Sequence, residues 1–235
     1  MPIFYRDVGK DSAPVIVFLH GWMHSGEDFI KIADVLDSYR CLLIDLPGFC
    51  RSSLLPDDWD VGSYARFLET FVAVRDLNPV AYVGHSFGCR VLTKLFSAEK
   101  KPETSLILIC PAGKEVVTSS PLVTIAKLIK KIPILRRICE PVFRSFRSED
   151  CQNAGKHEQL FRTTVQEDLT HLLEKITTRT LTIWGKNDDQ IPLEYLTEYD
   201  DRISNHTSIV LDGDHNIPDT HPVEIAREIH NFLTR

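Results

Sequence analysis

One serine stands between two glycines in "GHSFG", Gly84 to Gly88, directly after the apolar run "PVAYV" and directly before "CRVLTKLF". A structural turn needs only the glycines. A strand that reverses into a helix across this short stretch lifts the Ser86 hydroxyl clear of its neighbours, where a base and a substrate can both reach it. A serine hydroxyl is a weak nucleophile at neutral pH. It needs a group that takes its proton as the new bond forms, and histidine has a suitable ordinary pKa. The alternative is a glycine turn with an incidental serine, and the partners decide between the two.

Nine histidines compete for the role of base. His215 in "LDGDHNIP" directly follows the last strand-like run, at the sheet end where the turn at Ser86 also emerges. His24, His157, His171, His206 and His230 fall on expected loops or helices away from that edge, and a solvated role suits each. His85 is expected to point away from the turn, His221 precedes Pro222 at a helix start, and His20 closes a strand with a structural duty. The base in turn needs an acid that holds its tautomer and stabilises the imidazolium. Asp188 in "IWGKNDDQIP" follows the penultimate strand, with adjacent Asp189 as its competitor. Asp212 and Asp214 sit close to His215 in sequence and more naturally shape its loop.

These residues need a scaffold. Short apolar runs rich in valine and isoleucine recur at Pro14 to His20, Arg40 to Leu46, Pro79 to His85, Thr104 to Cys110, Thr180 to Gly185 and Thr207 to Gly213. Near-continuous apolar runs of this length are what strands covered on both faces require, which favours a parallel sheet. "IFYRDV", Ile3 to Val8, adds an antiparallel edge strand. Between the runs, apolar residues fall on single helical faces: Phe29, Ile32, Ala33 and Leu36; Phe67, Leu68, Phe71 and Val72; Val91, Leu92 and Leu95; Val223, Ala226, Ile229 and Phe232 or Leu233. Strand and helix in alternation predict an α/β protein with a doubly wound, mostly parallel sheet and right-handed crossovers, its chemistry collected beyond the carboxyl ends of the strands.

The rhythm breaks between residues 114 and 178, where no convincing strand occurs. In "PLVTIAKLIKKIPILRRICEPVFRSFR", seven lysines and arginines stand against the single acid Glu140, and Pro133 and Pro141 should divide the stretch into short helices.

Composition bounds the remaining classes. With 43% hydrophobic and 26% charged residues over 235 positions, the chain can bury a sizeable core. A net charge of -6 offers no global attraction to nucleic acid. No segment reads as a signal peptide or approaches the roughly 18 apolar residues of a membrane span, so a cytoplasmic location is expected. Six scattered cysteines without a C-x-x-C pair read as reduced and structural. Neither an H-x-x-x-H cluster nor a phosphate-binding glycine loop occurs, and no metal or organic cofactor is expected.

"FLHGWMHSGEDF", "LIDLPGFCRSS", "YVGHSFGCR", "LTIWGKNDDQIP" and "LDGDHNIPDTHP" together resemble the ordered motifs of the α/β-hydrolase superfamily, over nearly the whole chain outside residues 114–178. The resemblance implies a core of residues 1–113 and 179–235 with a small helical cap, 114–178, inserted after the sixth strand. It implies Ser86 as nucleophile, Asp188 as acid and His215 as base, in the chain order this fold uses. It also implies an oxyanion hole from the backbone N–H groups of Trp22 and Phe87, two fixed donors aimed at developing charge. Cys50 and Cys89 stand where relatives often carry glycine, and Asp45 reads as a loop-shaping residue. The expected activity is hydrolysis of carboxylic esters of small to medium apolar acyl groups. The alternatives are a carbon–carbon bond hydrolase or lyase on the same triad, and a ligand receptor with very slow turnover. The expected partner is a small-molecule ester; the basic stripe fits a solvated helix face, an anionic substrate or a lipid surface; the oligomeric state stays open.

Overall fold

The structure is a computed structural model, and it describes residues 2–53, 59–98, 103–113 and 167–235. Seven strands form one sheet: β1 (Tyr5–Val8), β2 (Val15–Leu19), β3 (Arg40–Ile44), β4 (Pro79–His85), β5 (Ser105–Ile109), β6 (Thr180–Gly185) and β7 (His206–Leu211). Their spatial order is β1-β3-β2-β4-β5-β6-β7. Only β1 runs antiparallel, against β3; every other pairing is parallel. The expected doubly wound sheet with an antiparallel edge strand is therefore what the chain forms, with β1 starting at Tyr5 instead of Ile3.

Burial explains the sequence pattern. β2 is buried at every position, as are the last four residues of β3 and β5, because helices cover both faces of the sheet. β7 lies at the edge and alternates between half-buried and exposed residues. Among the described residues the α-helices are α1 (Ile30–Val35), α2 (Val61–Val74), α3 (Phe87–Ala98), α4 (Thr170–Leu173), α5 (Leu196–Arg202), α6 (Ile217–Thr220) and α7 (Pro222–Thr234). At the start of α2 the Asp60 carboxylate accepts from the Ser63 N–H at 2.7 Å, and the Ser63 hydroxyl answers the Asp60 N–H, so two otherwise orphaned donors are satisfied reciprocally. The buried stripe of α7 is Ile225, Ala226, Ile229 and Phe232; Val223, assigned to that stripe from the sequence, is 58% exposed.

Residue 114 follows β5, the fifth strand along the chain, and not the sixth as expected. The expected cap lies mainly outside the described residues, as does its basic stripe. The two flanks of that segment are held together: the Leu169 N–H donates to the Gly113 carbonyl at 2.8 Å. Arg90 of α3 donates through one terminal nitrogen to the Ala112 carbonyl at 2.7 Å and through the other to the Glu167 carbonyl. Lys94, one turn on, pairs with the Glu167 carboxylate. Among the described residues, no helix is long and apolar enough to cross a membrane.

Candidate active site

The centre of the site is the junction of β4 and α3. β4 ends at His85, α3 begins at Phe87, and Ser86 alone makes the turn with a left-handed φ of 48°. Residues with a Cβ rarely hold that conformation, and such strain clusters where function requires it. Both flanking glycines are forced by close approach. A Cβ on Gly88 would lie 2.1 Å from the Leu19 carbonyl oxygen, and one on Gly84 would lie 2.8 Å from the Cys89 nitrogen. The Ser86 N–H donates to the Ile109 carbonyl at 3.0 Å, pinning the turn to β5. Ser86 itself stays partly exposed.

Asp188 lies on the loop after β6 and His215 on the loop after β7. The His215 Nδ1–H donates to Asp188 Oδ2 at 2.7 Å, with both side chains buried. That bond fixes the tautomer and leaves Nε2 free to take a proton. The other carboxylate oxygen, Oδ1, accepts from the backbone N–H groups of Gln190 at 2.9 Å and Ile191 at 2.8 Å, so the loop itself aims the acid. Asp189 is exposed and makes none of these bonds.

His85 does not point away from the site as expected. Its Nε2–H donates to the His215 backbone carbonyl at 2.9 Å, and the two rings lie 4.9 Å apart between centroids. Burial, with the neighbouring His215 charge next in weight, lowers its pKa to about 3, so it is a neutral imidazole. His24 stands edge-on to it at 6.0 Å and bonds Asp28 Oδ2 through Nδ1 at 2.5 Å. His24 therefore belongs to the site's surroundings, although its place in a loop suggested a merely solvated role.

The remaining histidine and aspartate expectations divide more simply. His20 is fully buried; its Nδ1–H reaches the Gly21 carbonyl at 2.7 Å and its Nε2 accepts the Leu46 N–H at 2.9 Å, a structural duty as expected. His206 opens β7 and its side chain is buried between Asp200 and Thr182, not solvated. Asp45 accepts the Gly26 N–H at 2.9 Å and the Arg51 Nε–H at 2.9 Å, which makes it a loop anchor. Asp214 accepts the Asn216 N–H, and Asp212 accepts from the Asn187 side chain, so both shape loops.

Trp22 and Phe87 come together at the mouth of the turn, their rings edge to face at 5.1 Å, and Phe49 packs against Trp22 at 5.0 Å. Phe87 is also the first residue of α3, where unpaired backbone N–H groups and the helix dipole favour negative charge. Cys89 is buried, its Sγ–H directed at the Gly84 carbonyl, and burial pushes its pKa well up, which disfavours a reactive thiolate. Cys50 holds a left-handed φ of 44°, the conformation that accounts for glycine at such a position.

Among the described residues, one trio of metal-type donors gathers: the Cys110 thiol, the Asp188 carboxylate and a His215 ring nitrogen, mutually within 4.8 Å and all buried. Two of the three already share a proton, so a cation there would have to displace it. The approach of Cys110 could not be foreseen from its place at the end of an apolar run.

The sequence model of the alpha/beta hydrolase fold matches residues 14–133. The chain is 25% identical over 255 aligned positions to monoacylglycerol lipase ABHD6 of Mus musculus, covering 94% of this chain and 75% of that one. It is 33% identical over 102 positions to a non-heme chloroperoxidase of Burkholderia pyrrocinia, covering 43% of this chain and 37% of the relative's length. Among solved structures, an esterase from Exiguobacterium antarcticum superposes with a TM-score of 0.80 at 21% identity, over 99% of this chain and 96% of the other. The chain belongs to the α/β-hydrolase fold family.

Proposed function

We propose that the chain is a serine hydrolase that cleaves carboxylic esters of small to medium apolar acyl groups through an acyl-enzyme. Ser86 Oγ attacks the ester carbonyl carbon while His215 Nε2 takes its proton. Asp188, bonded at Nδ1, orients the ring and stabilises the imidazolium. The oxyanion forms against the backbone N–H groups of Phe87 and Trp22. As the tetrahedral intermediate collapses, the imidazolium gives its proton to the departing alcohol. Water then attacks the acyl-Ser86 ester, with His215 again as base, and releases the acid. The residues named suffice for every proton in this cycle, so no cofactor is needed.

The observation that carries this reading is the pairing of His215 with Asp188 at 2.7 Å, with the His215 backbone bound by His85, the immediate neighbour of Ser86. The likeness to a monoacylglycerol lipase over most of the chain supports an ester as substrate. The apolar acyl preference draws on the Trp22, Phe49 and Phe87 rings beside the turn.

Treatment with alkyl fluorophosphonates of graded chain length, read by intact mass, tests the proposal. One adduct, absent in Ser86→Ala, with nitrophenyl ester turnover lost in the same variant, is the expected result. Turnover of vinylogous diketones in place of esters would replace it with the carbon–carbon reading. Stoichiometric labelling without turnover of any ester would replace it with a receptor.

A further inference from the structure

We propose that Cys110 is a positioning residue for Asp188, its thiol at the carboxyl end of β5 serving as a further polar group that holds the carboxylate against His215. The inference rests on the hydrolase reading above and deepens it.

Cys110 follows the last residue of β5, and its N–H donates to the Ile183 carbonyl of β6 at 2.9 Å. It is thereby locked to the strand whose loop carries Asp188. Its φ of 44° is left-handed, and its side chain is fully buried. The sulfur lies within 4.8 Å of both the Asp188 carboxylate and the His215 ring. An ionised carboxylate offers about four acceptor sites, and the described bonds to Gln190, Ile191 and His215 occupy three. The thiol faces the remainder. Burial first, and the Asp188 charge and hydrogen bonding after it, push the Cys110 pKa well up. The sulfur therefore keeps its proton as a weak donor and adds no competing charge beside the imidazole.

The test compares Cys110→Ala and Cys110→Gly, which remove the thiol, with Cys110→Ser, which keeps a donor at that atom. Glycine accepts the left-handed backbone, so it guards against an alanine variant that fails to fold. In the thiol-less variants kcat for nitrophenyl esters should fall about five- to tenfold with KM nearly unchanged. The acid limb of kcat/KM should move to higher pH, since the carboxylate loses a donor and pulls more strongly on the imidazolium. The downfield proton resonance of His215 Nδ1–H in the free protein should shift as well. Cys110→Ser should keep all three values. Wild-type kinetics and resonance in Cys110→Ala or Cys110→Gly would overturn the proposal, as would equal impairment in Cys110→Ser. The resonance is read without substrate. A wild-type protein that fails to label at Ser86 would thus sink the hydrolase reading while leaving the Cys110 claim decided by the spectrum.

Discussion

The His85 Nε2–H and the His215 backbone carbonyl meet at 2.9 Å, joining residues 130 positions apart in the chain. One closes β4 directly before Ser86; the other is the imidazole bonded to Asp188. The bond ties the loop that carries the proposed base to the turn that carries the proposed nucleophile. Replacing His85 with leucine keeps bulk but leaves a buried carbonyl unpaired, at a cost of about 1–3 kcal/mol. His85→Leu should lower kcat by about tenfold or more with KM little changed, as expected when only geometry at the reacting atoms is lost. His85→Gln, which can still donate, should recover most of the rate. Steady-state ester kinetics on the two variants check this, and equal rates in both would show that the bond positions nothing.

Asp188 and Asp189 are neighbours with opposite fates, one buried against His215 and one exposed. Asp188→Asn keeps the shape but presents an amide where the imidazole needs an acceptor, and kcat should fall by about 10³–10⁴-fold as the tautomer is lost. Asp189→Asn should stay within twofold of the wild type. Burst and steady-state kinetics of both variants decide between the two aspartates, and a reversed ranking would remove Asp188 from the proposed mechanism.

The scaffold could be read in advance because it rests on local pattern. Runs such as "VIVFL" are apolar without interruption since both faces of β2 are covered, and the glycines around Ser86 announce their close approach in the motif itself. What escaped reading depends on contacts between distant segments. The orientation of His85 is set by a carbonyl that only the folded sheet brings near. The choice of Asp188 over Asp189, by contrast, was legible, and its physical reason is local: the N–H groups of Gln190 and Ile191 converge on the Asp188 carboxylate. The convergence of Cys110 on the same pair leaves no trace in residue type or spacing. Arg90 is 1% exposed, although arginine is among the residue types least often fully buried.

Ser86 holds a left-handed φ of 48° at the turn between β4 and α3. A left-handed backbone disfavours any residue with a Cβ by about 1–2 kcal/mol, part of which glycine loses again through its freer unfolded chain. Ser86→Gly should therefore be more stable than Ser86→Ala by about 1 kcal/mol, with both inactive. Urea denaturation midpoints at equal m-value measure the difference. An alanine variant as stable as the glycine one would show that the turn carries no strain.

Two buried histidines make stability depend on acid. Burial lowers the pKa of His20 to about 4 and that of His85 to about 3, while the unfolded chain titrates near the ordinary value of 6.5. Above that value both states hold neutral rings and the contribution is constant. As pH falls from 6.5 toward 4, the unfolded chain binds the extra protons, and stability drops by about 1.4 kcal/mol per pH unit for each histidine. Between pH 7 and pH 5 the pair should account for a loss of about 4 kcal/mol. His20→Gln, whose amide can accept from the Leu46 N–H and donate to the Gly21 carbonyl, should show about half that loss. Equilibrium unfolding at the two pH values tests this, and an unchanged loss in His20→Gln would assign the acid sensitivity to other groups.

Arg90 joins α3 to both flanks of residues 114–166, through the carbonyls of Ala112 and Glu167. Its Nε is buried and has no hydrogen-bond partner among the described residues, and desolvation lowers its pKa even though Tyr199, Glu167 and Asp168 favour the charge. A cation kept dry at such a cost is retained for the two carbonyls it satisfies, not for the charge itself. Arg90→Met removes the desolvation penalty but strands both carbonyls, and the balance should destabilise the protein by about 1–3 kcal/mol. Arg90→Lys can reach one carbonyl at most and should fall between Arg90→Met and the wild type. Because α3 begins directly after Ser86, loosening these flanks should also disturb the position of its hydroxyl, so kcat should fall with KM little changed. Urea denaturation and ester kinetics on the two variants test both halves. Full stability in Arg90→Met would show that the guanidinium holds nothing together.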